Sequence, residues 1–235
     1  MLNLSNWSVL WEPVTRQSLI DALLMTCAIS GLSWFFSMIL GVGIGLLREM
    51  PVAACRVLAS SYVEVFRNIP LLVQLFFIYY ILPRALPDAV EKVLFNFGWE
   101  VVAAVITLSL YTSAKIAEYV RAGFNTVGAR MQQAAAASGL TWWQAQRHIF
   151  LGLVLRTSLP SLVSEFVTIF KGSSLAMTVG VAETTYVTRQ IGTDTFQWFQ
   201  TNLYATAVYL LCAWVIAGLM SLVERRLRIP GRIGS

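Results

Sequence analysis

The chain has 235 residues, 57 % hydrophobic and only 12 % charged, with a formal net charge of +5. A soluble domain carries about 25 % charged residues, so this composition excludes an ordinary water-soluble domain and points to a membrane protein. The positive balance does not indicate nucleic acid, because the basic residues are scattered between apolar segments, as cytoplasmic membrane loops require.

At ~20 residues per span plus loops, the length suits five transmembrane helices. Residues 1–20, with Trp7, Trp11, Glu12 and Arg16, lack a basic leader and a small-residue cleavage site. They read as an extracytoplasmic segment before an anchor that stays in place. Residues 22–47 contain no charged side chain and form the first expected span. Its Gly41 and Gly45 make a small-xxx-small pair that lets another helix approach closely.

Arg48, Arg56 and Arg67 precede the apolar run 69–82, which is short for a span. That run is expected to borrow residues 58–66, with a kink at Pro70. Pro83, Arg84 and Pro87 mark a loop, and residues 88–97 read as a short amphipathic helix in the interface. A third span covers 99–120 and carries Lys115 and Glu118. A loop at 131–148 leads into a fourth span, 150–178, interrupted by Pro160. Residues 180–202 read as polar and turn-rich, and residues 203–223 as the fifth span.

The expected fold is therefore an all-α membrane protein with a single membrane domain, residues 21–224, and a basic tail, 225–235. No internal repeat or linker divides it. With the N-terminus outside, cytoplasmic segments hold ten basic residues: Arg48, Arg56, Arg67, Arg121, Arg130, Arg147, Arg225, Arg226, Arg228 and Arg232. Outer segments hold four: Arg16, Arg84, Lys92 and Arg189. That bias places the C-terminus and the long loop, 124–149, in the cytoplasm.

Charged groups inside spans are costly unless paired or beside a water-filled cavity. Lys115 and Glu118, three residues apart on one face, can neutralise each other. Glu165 and Lys171, six apart, cannot form a simple intrahelical pair. Lys171-Gly172-Ser173-Ser174 would break a regular helix at membrane depth, where irregular backbone lines a cavity or is packed in protein. Lys115, Thr112, Glu118, Glu165, Lys171, Ser173 and Ser174 are thus the candidates for a substrate pathway. Cys27, Cys55 and Cys212 show no metal-ligand spacing, and two of them fall inside apolar runs, where cysteine behaves as a small hydrophobe. His148, the single histidine, has no second ligand for a metal and no nucleophile beside it. No Gly-x-x-x-x-Gly-Lys-[Ser/Thr] phosphate loop occurs, so uphill transport driven by ATP needs the nucleotide on another chain, docked on a cytoplasmic loop.

Four stretches, in order, resemble the ABC-importer permeases of the polar amino-acid uptake subfamily. The loop resembles the family's EAA loop, with Gln133-Ala134-Ala135, Gly139, Ile149 and Leu159-Pro160. Val65-Phe66-Arg67-Asn68-Ile69-Pro70-Leu71-Leu72-Val73-Gln74 resembles the same subfamily. So do Ala117-Glu118-Tyr119-Val120-Arg121-Ala122-Gly123 and the segment from Glu165-Phe166 to Lys171-Gly172-Ser173-Ser174. The tail Glu224-Arg225-Arg226-Leu227-Arg228 fits as well. The resemblance covers residues 20–228 and is greatest to glutamate/aspartate permeases.

It implies a type I importer permease of five spans in a bacterial inner membrane. Its partners would be two ATPase subunits, a second permease (a paralogue or a copy of itself), an extracytoplasmic amino-acid-binding protein and membrane lipid. This chain would bind no cofactor, ATP being used by the partner. Gln133, Ala134, Ala135, Gly139, Leu140 and Arg147 would couple to the ATPase. The sequence departs from the family pattern at Gln133, where the family has glutamate, and at Gly152-Leu153, where it has proline-glutamine. Lys115 suggests an acidic cargo; glutamine, histidine or basic cargo is the alternative. A hydrolase using Ser173 or Ser174 with Lys171, and a passive channel, are readings from other classes.

Overall fold

The computed structural model describes residues 7–127 and 129–227. The far end of the expected basic tail, with Arg228 and Arg232, lies outside them, as do residues 1–6. Every regular element among the described residues is helical. In chain order they are α1 (Ser8–Trp11), α2 (Pro13–Arg48), α3 (Ala53–Asn68), α4 (Leu71–Tyr80), α5 (Asp88–Asn96) and α6 (Trp99–Val127). There follow α7 (Ala129–Ala137), α8 (Trp142–Ala145), α9 (Leu151–Gly172), α10 (Thr184–Thr195) and α11 (Trp198–Leu227).

Four segments are long and apolar enough to cross a membrane: Pro13–Arg48, Trp99–Thr126, Trp142–Val179 and Trp198–Glu224. The pair α3 and α4 supplies a fifth only as a broken span, bent by 102°. The expected kink at Pro70 is therefore a sharp corner. Pro70 sits at φ −55°, ψ 136°, and proline both lacks an N–H and pushes the residue before it out of the helical region. Pro160 behaves differently: α9 runs through it without a break, since proline's own φ is helical and only one backbone bond is forfeited. The break comes where Lys171-Gly172-Ser173-Ser174 placed it, as α9 tightens into a 3₁₀ turn over Ser173–Val179.

The chain divides into two compact units. The first comprises Met1–Phe35, Ile69–Ser109 and Val167–Val215. Here the segment expected to be turn-rich contains a 12-residue helix, α10. Its N-cap is Glu183, fully buried, whose carboxylate accepts from the Thr185 N–H at 2.9 Å, the Tyr186 N–H at 2.8 Å and the Tyr209 hydroxyl at 2.6 Å. The Thr26 hydroxyl of α2 accepts from the Thr184 N–H at 3.1 Å. Three first-turn donors are thereby satisfied, as a helix start requires. The Trp99 indole donates to the Tyr79 carbonyl at 2.9 Å, tying α6 to α4.

The second unit comprises Phe36–Asn68, Leu110–Phe166 and Ile216–Ser235. Its close approach is between α2 and α6. A Cβ at Gly41 would lie 2.6 Å from Ile116 Cβ and 2.8 Å from the Ser113 carbonyl, and one at Gly45 2.6 Å from Val120. Gly123 makes the matching approach of α6 to α9, 2.8 Å from Val154, and the Ser158 hydroxyl donates to the Tyr119 carbonyl at 2.9 Å. The Tyr62 hydroxyl fastens α3 to α6 through the Leu110 carbonyl at 3.1 Å and the Ser113 hydroxyl at 2.8 Å. α6 is the most enclosed of the long helices and α11 the least, with 56 % against 6 % of their apolar windows buried.

A Cβ at Gly43 would meet nothing within 4 Å, which makes that position a matched control. Gly41→Leu is expected to cost about 1–3 kcal/mol, the range for overpacking a tight contact. Gly43→Leu should leave the Tm in detergent nearly unchanged. Equal melting of the two variants would contradict the close approach of α2 and α6.

Candidate functional site

Within the second unit, α6 turns its charges in two directions. Lys115 does not pair with Glu118, three residues on, as the helical spacing suggested. The Lys115 ammonium instead donates to Glu165 Oε1 of α9 at 3.0 Å. The other carboxylate oxygen, Glu165 Oε2, accepts from the Tyr119 hydroxyl at 3.0 Å. The Lys115 ammonium also stands 4.6 Å from the Tyr111 ring centroid, a cation–π distance. Glu165 is buried, while 23 % of the Lys115 side chain remains exposed. The result is a desolvated carboxylate fully supplied with donors, beside a cation that keeps an open side.

Glu118 is engaged separately. Its Oε1 accepts from Arg48 at 2.7 Å and lies 3.3 Å from the Arg67 guanidinium, and its Oε2 accepts from Arg121 at 3.4 Å. One carboxylate thus joins the end of α2, the end of α3 and the last turns of α6. Arg48 and Arg67 were legible only as members of a basic cluster, because pairing across about fifty residues or more leaves no mark in local spacing. Thr112 is buried.

The other pathway candidates belong to the first unit. Lys171 is exposed and forms no ion pair among the described residues. The Ser173 hydroxyl donates to the Phe170 carbonyl at 2.7 Å and that of Ser174 to the Lys171 carbonyl at 2.8 Å. These bonds spend each hydroxyl on the local backbone. Among the described residues, neither serine has the nucleophile–base contact that the hydrolase reading demands.

The loop between α6 and α9 is built from strong local signals. α7 ends at Ala137, and Gly139 follows at φ 75°. The Leu140 N–H then reaches back to the Ala135 carbonyl at 3.3 Å, the 6→1 bond of a Schellman stop. Thr141 and Gln144 close a capping box around α8, with the Thr141 N–H 2.8 Å from Gln144 Oε1 and the Gln144 N–H 3.4 Å from the Thr141 hydroxyl. A π turn over Gln146–Phe150 joins α8 to α9. Gln133, Ala134, Gly139, Trp143, Arg147 and His148 are exposed, Leu140 is half-buried, and Ala135 faces inward.

On that inner side lies a cavity of about 200 Å³, lined by Glu49, Phe124, Ala135, Leu140, Trp142, Ala145, Gln146 and Phe150. Burial pushes the Glu49 carboxyl up from its ordinary value, against the opposing pull of Arg121 and Arg48. The sequence marks neither Glu49 nor Gln146, since a lone glutamate after a span and a glutamine in a polar turn have no distinguishing spacing.

Residues 37–229 match the family model described as binding-protein-dependent transport system inner membrane component. The glutamate/aspartate import permease protein GltJ of Escherichia coli strain K12 is 32 % identical over 217 residues, covering 89 % of this chain and 87 % of the relative. The glutamine transport system permease protein GlnP of the same strain is 30 % identical over 224 residues, covering 95 % and 98 %. A crystal structure of an amino acid ABC transporter with histidines aligns with a TM-score of 0.77 at 29 % identity, over 93 % of this chain and 98 % of that one. By sequence, by fold and by its long apolar helices, the chain belongs to the binding-protein-dependent transport system inner membrane components, the multi-pass permeases of ABC importers with the type I fold.

Proposed function

We propose that this chain is the permease subunit of an ATP-driven amino-acid importer and that its cargo is an acidic amino acid, glutamate or aspartate. The observation that carries the reading is the Lys115–Glu165 pair with Tyr119. Inside apolar surroundings a charge keeps its partner until a better one arrives. A cargo carboxylate can take Lys115 from Glu165, and Glu165 can then accept the cargo's α-ammonium. Low local dielectric strengthens both contacts. The similarity to a glutamate/aspartate import permease supports the same cargo.

The remaining parts follow from this reading. The cargo is delivered by an extracytoplasmic binding protein. A second permease, a paralogue or a copy of this chain, completes the pore. Two ATPase subunits bind ATP and receive the exposed face of the loop, with Gln133, Ala134, Trp143 and Arg147. Nucleotide-driven closure moves the permeases between inward and outward states as rigid bodies. Gln133 can hydrogen-bond but offers no charge-assisted contact, which suits a heterodimer whose other loop binds the ATPase more strongly. The arginine bias supports a cytoplasmic C-terminus and an outer N-terminus.

One observation favours a second reading. The buried Glu165 carboxylate also suits a cargo with an amide or cationic side chain, and a glutamine transport permease is among the relatives. Lys115→Met separates the two. In proteoliposomes holding the whole transporter, acidic cargo predicts that glutamate uptake falls at least about tenfold, ~1.4 kcal/mol at the barrier, with the complex still assembled. Unchanged glutamate uptake would overturn the acidic reading, and glutamine uptake that survives the substitution would favour the second.

Coupling is tested at Gly139. Gly139→Val puts a β-branched residue at φ near +75°, where such residues are outliers. It is expected to uncouple ATP hydrolysis from uptake. Gly139→Asn, which tolerates that region at low cost, should preserve coupling. Equal coupling in both variants would remove the loop from the transmission path.

A further inference from the structure

The proposed cargo carries one more charge than Lys115 and Glu165 can meet. Glutamate and aspartate each have an α-ammonium and two carboxylates. Glu165 answers the ammonium and Lys115 one carboxylate, and a second carboxylate left unpaired in apolar surroundings is costly. Arg67 is placed to receive it. Arg67 sits in the last turn of α3, directly before the 102° corner, with 48 % of its side chain exposed. Among the described residues its one ion pair is with Glu118 Oε1 at 3.3 Å, an oxygen that Arg48 already holds at 2.7 Å. A guanidinium offers a fork of N–H donors that fits a carboxylate, so this single contact leaves donors over. Withdrawing Arg67 also leaves Glu118 paired with Arg48 and Arg121.

The helix α6 relates Arg67 to the cargo site. Lys115 shares a face with Glu118 and Tyr119, the next turn along, at about 5–6 Å between side chains. Arg67 contacts Glu118 and lies within electrostatic range of the Tyr119 hydroxyl, which itself donates to Glu165. Along this face the order of charge is guanidinium, carboxylate, ammonium, from Arg67, Glu165 and Lys115. An acidic amino acid has the inverse order, an ammonium between two carboxylates. The carboxylate carbons of extended glutamate lie about 5 Å apart at ~1.5 Å a bond, a span close to one turn of α6.

We propose that Arg67 is a specificity-determining residue that binds one carboxylate of the cargo while Lys115 binds the other. This role rests on the acidic cargo proposed above.

Amide analogues separate the two carboxylates. The whole transporter in lipid nanodiscs, without binding protein, is titrated by saturation-transfer NMR with glutamate, glutamine and isoglutamine (the α-amide). Empty nanodiscs are the reference. The unaltered transporter is expected to bind glutamate at least about tenfold tighter than either amide, since each amide forfeits one charge-assisted contact. Arg67→Gln should abolish the preference over one amide and keep it over the other, and Lys115→Met should do the reverse. Arg121→Gln removes the other half-exposed arginine from Glu118 and should keep both preferences. A merely structural role for Arg67 would weaken all three ligands alike and leave their ratios unchanged. Unchanged ratios in Arg67→Gln, an equal change in Arg121→Gln, or loss of the same preference in Arg67→Gln and Lys115→Met would overturn the role. So would a preference over only one amide in the unaltered transporter, a comparison that needs no variant to fold and that leaves the acidic reading standing. Absence of any preference, or of glutamate binding, would overturn the acidic reading and the role of Arg67 together.

Discussion

The second unit depends on one carboxylate. Glu118 receives Arg48 at 2.7 Å, Arg67 at 3.3 Å and Arg121 at 3.4 Å, and through them α2, α3 and α6 are joined at the end where the basic residues gather. Glu118 is only partly exposed, and leaving its charge unpaired would carry a desolvation cost. Meeting three guanidinium groups at once, Glu118 lets the chain keep a dense arginine cluster next to apolar helices. The arginines therefore anchor helix ends.

That anchor leaves the other charged pair free to do different work. Because Glu118 is fully occupied, Lys115 turns to Glu165, and Tyr119 takes the second oxygen. Between the helices that carry these groups, the packing is held by missing side chains rather than by extra contacts. Gly41, Gly45 and Gly123 bring backbones so close that a Cβ at any of them would be under 3 Å from a neighbour. Lipid chains are as apolar as leucine, so close packing and polar contacts must supply the association that the hydrophobic effect supplies in water. The rigid α2–α6–α9 contact then carries both the charged pair and the loop that follows α6.

Much of this was legible in the residues. The apolar runs gave the four long helices, Gly41 and Gly45 the tight contact, and Gly172-Ser173 the change of helix type. Local patterns encode such features directly. Pro70 and Pro160 show where locality fails, since the same residue makes a corner of 102° in one place and a continuous helix in the other. α10 was missed because its start depends on Thr26 and Tyr209, distant in sequence, converging on Glu183 and Thr184. The Lys115–Glu118 expectation failed for a similar reason, as long-range partners outcompeted the one three residues away. The loop cavity had no signal at all, because Glu49 and Gln146 acquire meaning only from enclosure.

The central claim is that an ammonium–carboxylate pair on α6 and α9 selects the charge of the cargo. Its most direct test is competition for ATP-driven uptake of labelled glutamate by the reconstituted transporter. Unlabelled amino acids, each in the same excess, are offered through the extracytoplasmic binding protein. The account predicts that aspartate and glutamate suppress uptake while glutamine, histidine and arginine do not. Suppression by glutamine or arginine as strong as that by glutamate, or no glutamate uptake at all, would contradict it.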